Sequence, residues 1–138
     1  MLRVVPAVLF IWMGLFGLAG EVAAQGAMNR VYELRTYTTH PDRLDELIQR
    51  FEDHTIRLFE KHGMESVGYF VPQDEPASEN TLIYVLAHRN REEAMANWTA
   101  FSQDPEWQAV RAASESDGPI VEEVVRVFMD PTAFSGLR

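Results

Sequence analysis

The chain has 138 residues, no cysteine and a formal net charge of −9. That length suits one hydrophobic core, and the missing cysteines exclude disulfides and thiolate chemistry. Acidity of this size argues against nucleic acid and anionic membrane surfaces as partners.

The N-terminus reads as a secretory signal peptide over residues 1–24. Arg3 supplies a thin positive region, Val4 to Leu18 is almost wholly apolar, and Val22-Ala23-Ala24 offers small residues for cleavage before Gln25. Pro6, Gly14 and Gly17 interrupt the apolar run, which is short for a membrane span of about 20 residues. Residues 25–138 then form one exported domain, periplasmic or extracellular, with no membrane contact after cleavage. An uncleaved N-terminal anchor is the rival reading.

Residues 30–38 alternate as a strand, with Val31, Glu33, Arg35 and Tyr37 on one side and Tyr32, Leu34 and Thr36 on the other. A helix is expected from near Pro41, where Asp42, Asp45 and Glu46 complement the helix dipole. Its apolar stripe is Leu44, Leu47, Ile48, Phe51, Leu58 and Phe59, and Gly63 is the expected left-handed C-terminal cap. A second strand is expected at 65–71, and the polar, proline-containing segment 72–80 reads as a loop. Thr81 to His88 is nearly all apolar, as suits a central strand. A second helix is expected from Arg91 through Phe101, with a break at Asp104-Pro105 and a further turn carrying Trp107 and Val110. Ala112 to Pro119 reads as a loop, and the Val-rich run Ile120 to Met129 as the fourth strand.

The order βαββαβ predicts an α+β, ferredoxin-like fold: a four-stranded antiparallel sheet with two helices on one face. The opposite face would carry Glu33, Arg35 and Tyr37 together with much of the apolar third strand. Such a face needs a partner, and packing against the same face of a second copy closes a barrel; a homodimer is therefore expected.

The block Val31-Tyr32-Glu33-Leu34-Arg35-Thr36-Tyr37, leading through His40-Pro41-Asp42 to Lys61-His62-Gly63-Met64, closely resembles the opening of NIPSNAP-domain proteins. Asp104-Pro105-Glu106-Trp107 resembles the Asp-Pro-Glu-Trp segment of that family, late in its second helix. Together the two patches frame roughly residues 29–130. The resemblance implies a dimeric α+β barrel and no single reaction.

Within a closed barrel, Glu33, Arg35 and Tyr37 would be joined by Glu122 and Arg126 of the neighbouring fourth strand, which share a face. These five are the candidate ligand-binding residues. Arg offers a planar fork to carboxylate or phosphate; the competing reading is a self-satisfied ion-pair network that fixes dimer register. Trp98, Phe101 and Trp107 with Met95 fit helix-to-sheet packing or an apolar wall for a hydrophobic ligand. His62 fits the helix dipole, His54 a packing position on the helix, and His88 and His40 the surface. No histidine pair has metal-ligand spacing, so no metal site is expected. No Gly-rich phosphate loop or Gly-x-Ser-x-Gly elbow is present, and no cofactor is expected. Haem-binding barrels related to the family use an axial His, but nothing here singles one out.

The leading expectation is an exported homodimeric barrel that binds a small hydrophobic or amphipathic molecule in its lumen, oriented by Arg35, Glu33 and Tyr37. A second is a cofactor-independent enzyme like the antibiotic-biosynthesis monooxygenases of the dimeric α+β barrels, with His54 and Tyr84 as candidate bases. A third is a structural or protein-interaction module with a packed interior.

Overall fold

The structure is a computed structural model that describes residues 30–137. The signal-peptide expectation over 1–24 lies outside them. Four strands form one antiparallel sheet: β1 (Val31–Thr39), β2 (Glu65–Phe70), β3 (Thr81–His88) and β4 (Val121–Met129), in the order β2-β3-β1-β4. Helix α1 covers 44–61, a short helix α2 is Ala77–Asn80, and α3 (Arg91–Gln103) and α4 (Pro105–Ser114) follow. This is the expected βαββαβ order with two additions. Segment 72–80 contains α2. Ala112 to Ser114, read as loop, continue α4, because alanine is the best helix former and the Asp104 cap has already started the helix.

Local chemistry explains the helix ends. Gly63 takes a left-handed φ of 73°, and Met64 N donates to Phe59 O at 2.9 Å, closing the end of α1. Asn90 caps α3 by accepting from Glu93 N, and Asp104 caps α4 by accepting from Glu106 N, each at 2.8 Å. Pro105 begins α4 at a position where no backbone N–H is needed. Midway along α1, Phe51–Thr55 widens into a π-helical turn, with the Thr55 hydroxyl donating to Arg50 O at 3.1 Å. Such turns recur at functional sites.

The core lies between helices and sheet. Leu47, Phe51, Leu58 and Phe59 of α1 meet Leu82, Tyr84 and Leu86 of β3, with Phe101 of α3 and Ile120. Ring contacts knit this layer, including Phe51–Tyr84 at 5.2 Å and Phe59–Phe101 at 5.0 Å. The helices do not reach across the edge strand β4, whose residues from Glu122 to Val127 are all exposed.

The strand-one expectation needs a correction. The alternation is as read, but Glu33, Arg35 and Tyr37 face the helices rather than the open side. Glu33 bonds Trp98 of α3, and Tyr37 packs on Phe51 of α1. Burial is allowed because the polar groups find partners inside the layer. The open face instead presents Leu34 beside Val85 and Val127, and Thr36 beside Ile83 and Val125. Phe70 lies opposite Ile83, and its ring folds over Gly68, where a Cβ would meet it at 2.8 Å. Phe70, Val125 and Val127 remain 58%, 48% and 45% exposed.

Candidate functional site

Four residues from three elements form a polar network, centred on buried Glu33 and His88, on the helix side of β1. Glu33 is fully buried. Its Oε2 accepts from Trp98 Nε1 at 2.7 Å and His88 Nε2 at 2.9 Å, and its Oε1 from Arg35 Nη1 at 2.9 Å. Burial pushes the Glu33 carboxyl up, but the hydrogen bonds from His88, Trp98 and Arg35 outweigh it and hold it below the ordinary carboxylate value. The Arg35 guanidinium lies 4.1 Å from the Trp98 ring centroid and 5.5 Å from that of Tyr37. Burial opposes its charge, yet the tyrosine oxygens and Glu33 raise its pKa overall.

Beside this network, Tyr84 donates its hydroxyl to Tyr37 Oη at 2.9 Å, and the two rings meet edge-on at 5.2 Å. Burial drives the Tyr84 phenol well above its ordinary pKa, so it stays protonated.

Tyr37 opens onto a cavity of about 330 Å³ between the sheet and α1, α3 and α4. Its walls are aromatic: Tyr37, Phe51, Phe59, Trp98, Phe101 and Trp107. Thr55 of the π-helical turn lies in the lining, and Val121, Glu122 and Val124 of the exposed edge strand complete it. One end is charged. Arg50, buried in α1, donates from Nη1 to Ser114 Oγ at 3.2 Å and Glu115 Oε1 at 3.1 Å. Arg111 donates to the other oxygen of Glu115 at 3.1 Å. Burial raises the Glu115 carboxyl, but these two guanidinium groups hold it below its ordinary value.

The expected site residues are thus divided. Glu33, Arg35 and Tyr37 come together, with Tyr37 and the Trp98 wall reaching the cavity. Arg126 pairs with Arg35 across the strands but contacts Met95 Sδ at 3.7 Å and the Phe128 ring. Glu122 sits at the rim. Among the described residues, neither Glu122 nor Arg126 forms an ion pair with Glu33 or Arg35, so the cross-strand Glu/Arg network reduces to Glu33–Arg35. The reason is reach: Glu33 is already filled by donors from its own strand, β3 and α3.

The histidines also move. His88 is buried on Glu33, not at the surface. His62 bonds Asp104 Oδ2 at 2.6 Å and so ties the end of α1 to the α4 cap, a tie beyond its dipole role. His54 is exposed on the outer side of the π-helical turn, where the wider turn rotates it away from the core; it lines a shallow groove with Gln49 and Val110, not the aromatic cavity. Arg50, Arg111, Glu115 and Thr55 were missed. Arg50 had a signal, since it follows Leu47 by three residues and therefore falls on the apolar stripe. Among the described residues, no group of three His, Asp or Glu side chains is placed to hold a metal ion.

Fold and site together define an α+β protein with the subunit architecture of the dimeric α+β barrels and an aromatic cavity between sheet and helices. Residues 32–136 match the NIPSNAP family model, and the chain belongs to the NIPSNAP family. It is similar to a NIPSNAP-like domain protein from Burkholderia xenovorans, at 21% identity and a TM-score of 0.69 over 80% of this chain and 93% of that one. It is also similar to a NIPSNAP family protein from Agrobacterium tumefaciens, at 24% identity and 0.68 over 80% and 96%. A monooxygenase of Streptomyces coelicolor, solved with nanaomycin D, shares the fold at 16% identity and 0.54 over 77% and 90%. No curated protein matches the chain.

Proposed function

We propose that this NIPSNAP protein binds a small planar hydrophobic or amphipathic molecule in the cavity between its sheet and helices. The carrying observation is the cavity itself: about 330 Å³, walled by six aromatic rings and open at an edge strand. It falls within the usual ligand-site range of about 300–1,000 Å³, and a packed interaction module would have no use for it. The binding place therefore shifts from the lumen between subunits to the interior of each subunit. Arg35 and Glu33 fix the Trp98 wall from behind, and Tyr37 contributes a hydroxyl at the surface.

Titration with 2-naphthol tests this through the fluorescence of Trp98 and Trp107. Saturable quenching is expected, and it should persist in Val127→Asp, which alters only the open sheet face. The absence of any saturable change overturns the reading.

A homodimer and export belong to the same proposal. The apolar open face, with Phe70, Val125 and Val127 half exposed, supports pairing with a second copy. The mass of the exported chain checks cleavage before Gln25. The oxygenase reading draws on the monooxygenase fold, but its named bases do not fit. His54 lies outside the cavity, and Tyr84 is buried and held protonated.

A further inference from the structure

We infer that the cavity selects an anionic ligand, a planar aromatic carrying a carboxylate or comparable acidic group, and that Arg50 is the residue that receives it. This rests on the small-molecule reading above and adds the chemical class of the ligand.

Arg50 lines the cavity, is buried, and has its guanidinium 5.3 Å from the Trp107 ring centroid. Its hydrogen bonds to Ser114 and Glu115 both come from Nη1. Nε is buried and has no partner, and among the described residues Nη2 makes no hydrogen bond either. Nε and Nη2 form one edge of the planar guanidinium, with two parallel N–H groups that match the two oxygens of a carboxylate. A buried donor left without an acceptor is costly, and burial beside an aromatic wall strengthens any charge it meets.

Charge at the site agrees. Glu115 is already shared between Arg50 and Arg111, so the two guanidinium groups exceed the one carboxylate they hold. The other acid of the lining, Glu122, is exposed on the edge strand, where water screens its charge. A ligand with its ring between Phe51 and Trp107 and its acid on Arg50 would satisfy both the apolar wall and the free edge. The π-helical turn begins immediately after Arg50, so Arg50 stands where α1 departs from regular winding.

Calorimetry with 1-naphthoate and its neutral counterpart 1-naphthamide, on the wild type and Arg50→Met, tests this. Naphthoate should bind about tenfold tighter than naphthamide to the wild type, the advantage of a charge-assisted pair over a neutral one. That preference should vanish in Arg50→Met while naphthamide binding persists. Equal binding of the two probes to the wild type overturns the inference and leaves the small-molecule reading intact. So does a preference that survives in Arg50→Met. Failure of both probes to bind the wild type overturns the inference and the small-molecule reading together. Because Arg50 also holds Glu115, the Met variant is a folding risk. The Arg50 Nε–H resonance of the wild type then decides: it should shift with naphthoate and not with naphthamide, and an unmoved resonance overturns the inference.

Discussion

The two faces of the sheet carry different kinds of residue. The side covered by helices holds a buried acid, a partly buried arginine, a buried histidine and a hydroxyl pair. The uncovered side is mainly Leu, Ile, Val and Phe. The covered side also carries the apolar core, so the half-exposed apolar residues of the open side are what departs from the usual pattern. The contrast points to two separate tasks. The covered layer positions side chains around a cavity, and the open face is the surface that the proposed pairing with a second copy would cover.

The largest test of this contrast is Glu33→Ala. It leaves the Arg35 charge in the layer without its carboxylate and strips the acceptor from Trp98 Nε1 and His88 Nε2. A loss of about 3–5 kcal/mol in urea unfolding is expected, the cost of breaking a buried ion pair by removing one partner. Glu33→Gln probes the same site by pH. The folded carboxyl lies below its ordinary value of 4.5, so its stabilisation is complete above that value and is lost as pH falls through the lowered one. The acid limb of stability should therefore be shallower in the Gln variant. It will not disappear, because Asp104, Glu106 and Glu115 are lowered as well.

Next is the open face. Val127→Asp places a charge on the apolar open face, on edge strand β4 beside Leu34. Sedimentation at micromolar concentration should show a dimer for the wild type and a monomer for the variant, with little change in the secondary-structure spectrum. A monomeric wild type breaks the comparison, because the face would then need no cover.

How much of this the sequence made legible follows the range of the interactions. Elements held by local rules were readable: the alternating strand at Val31–Tyr37, the stripe of α1, the Gly63 cap and the break at Asp104-Pro105. The side that β1 turns to the helices was not. Alternation says which residues share a face, whereas Glu33 is placed inward by His88 and Trp98, which lie 55 and 65 residues away. The continuously apolar β3 gave no phase to choose between the two sides. Arg50 fell on a readable apolar stripe, but its partners Ser114 and Glu115 sit in a stretch that small polar residues made look like loop. The aromatic wall was named from Trp98, Phe101 and Trp107, whereas the space they enclose depends on how α3 and α4 settle on the sheet.

The smallest expected effect is at the hydroxyl pair, and it separates polar positioning from aromatic packing within the covered face. In Tyr84→Phe the ring keeps its contacts with Phe51 at 5.2 Å and Tyr69 at 5.6 Å, and only the hydrogen bond to Tyr37 is lost. Tyr37 Oη stands at the cavity wall, where water or a ligand can replace the missing donor. The loss should therefore stay within about 0.5–1.5 kcal/mol, the net worth of one such bond. Removing both hydroxyls together should cost no more, because no unpaired group remains. If Tyr84→Phe instead costs as much as Glu33→Ala, the hydroxyl pair belongs to the same cooperative network as the buried acid. The covered face would then be one polar unit rather than an ion-pair cluster set beside an aromatic core.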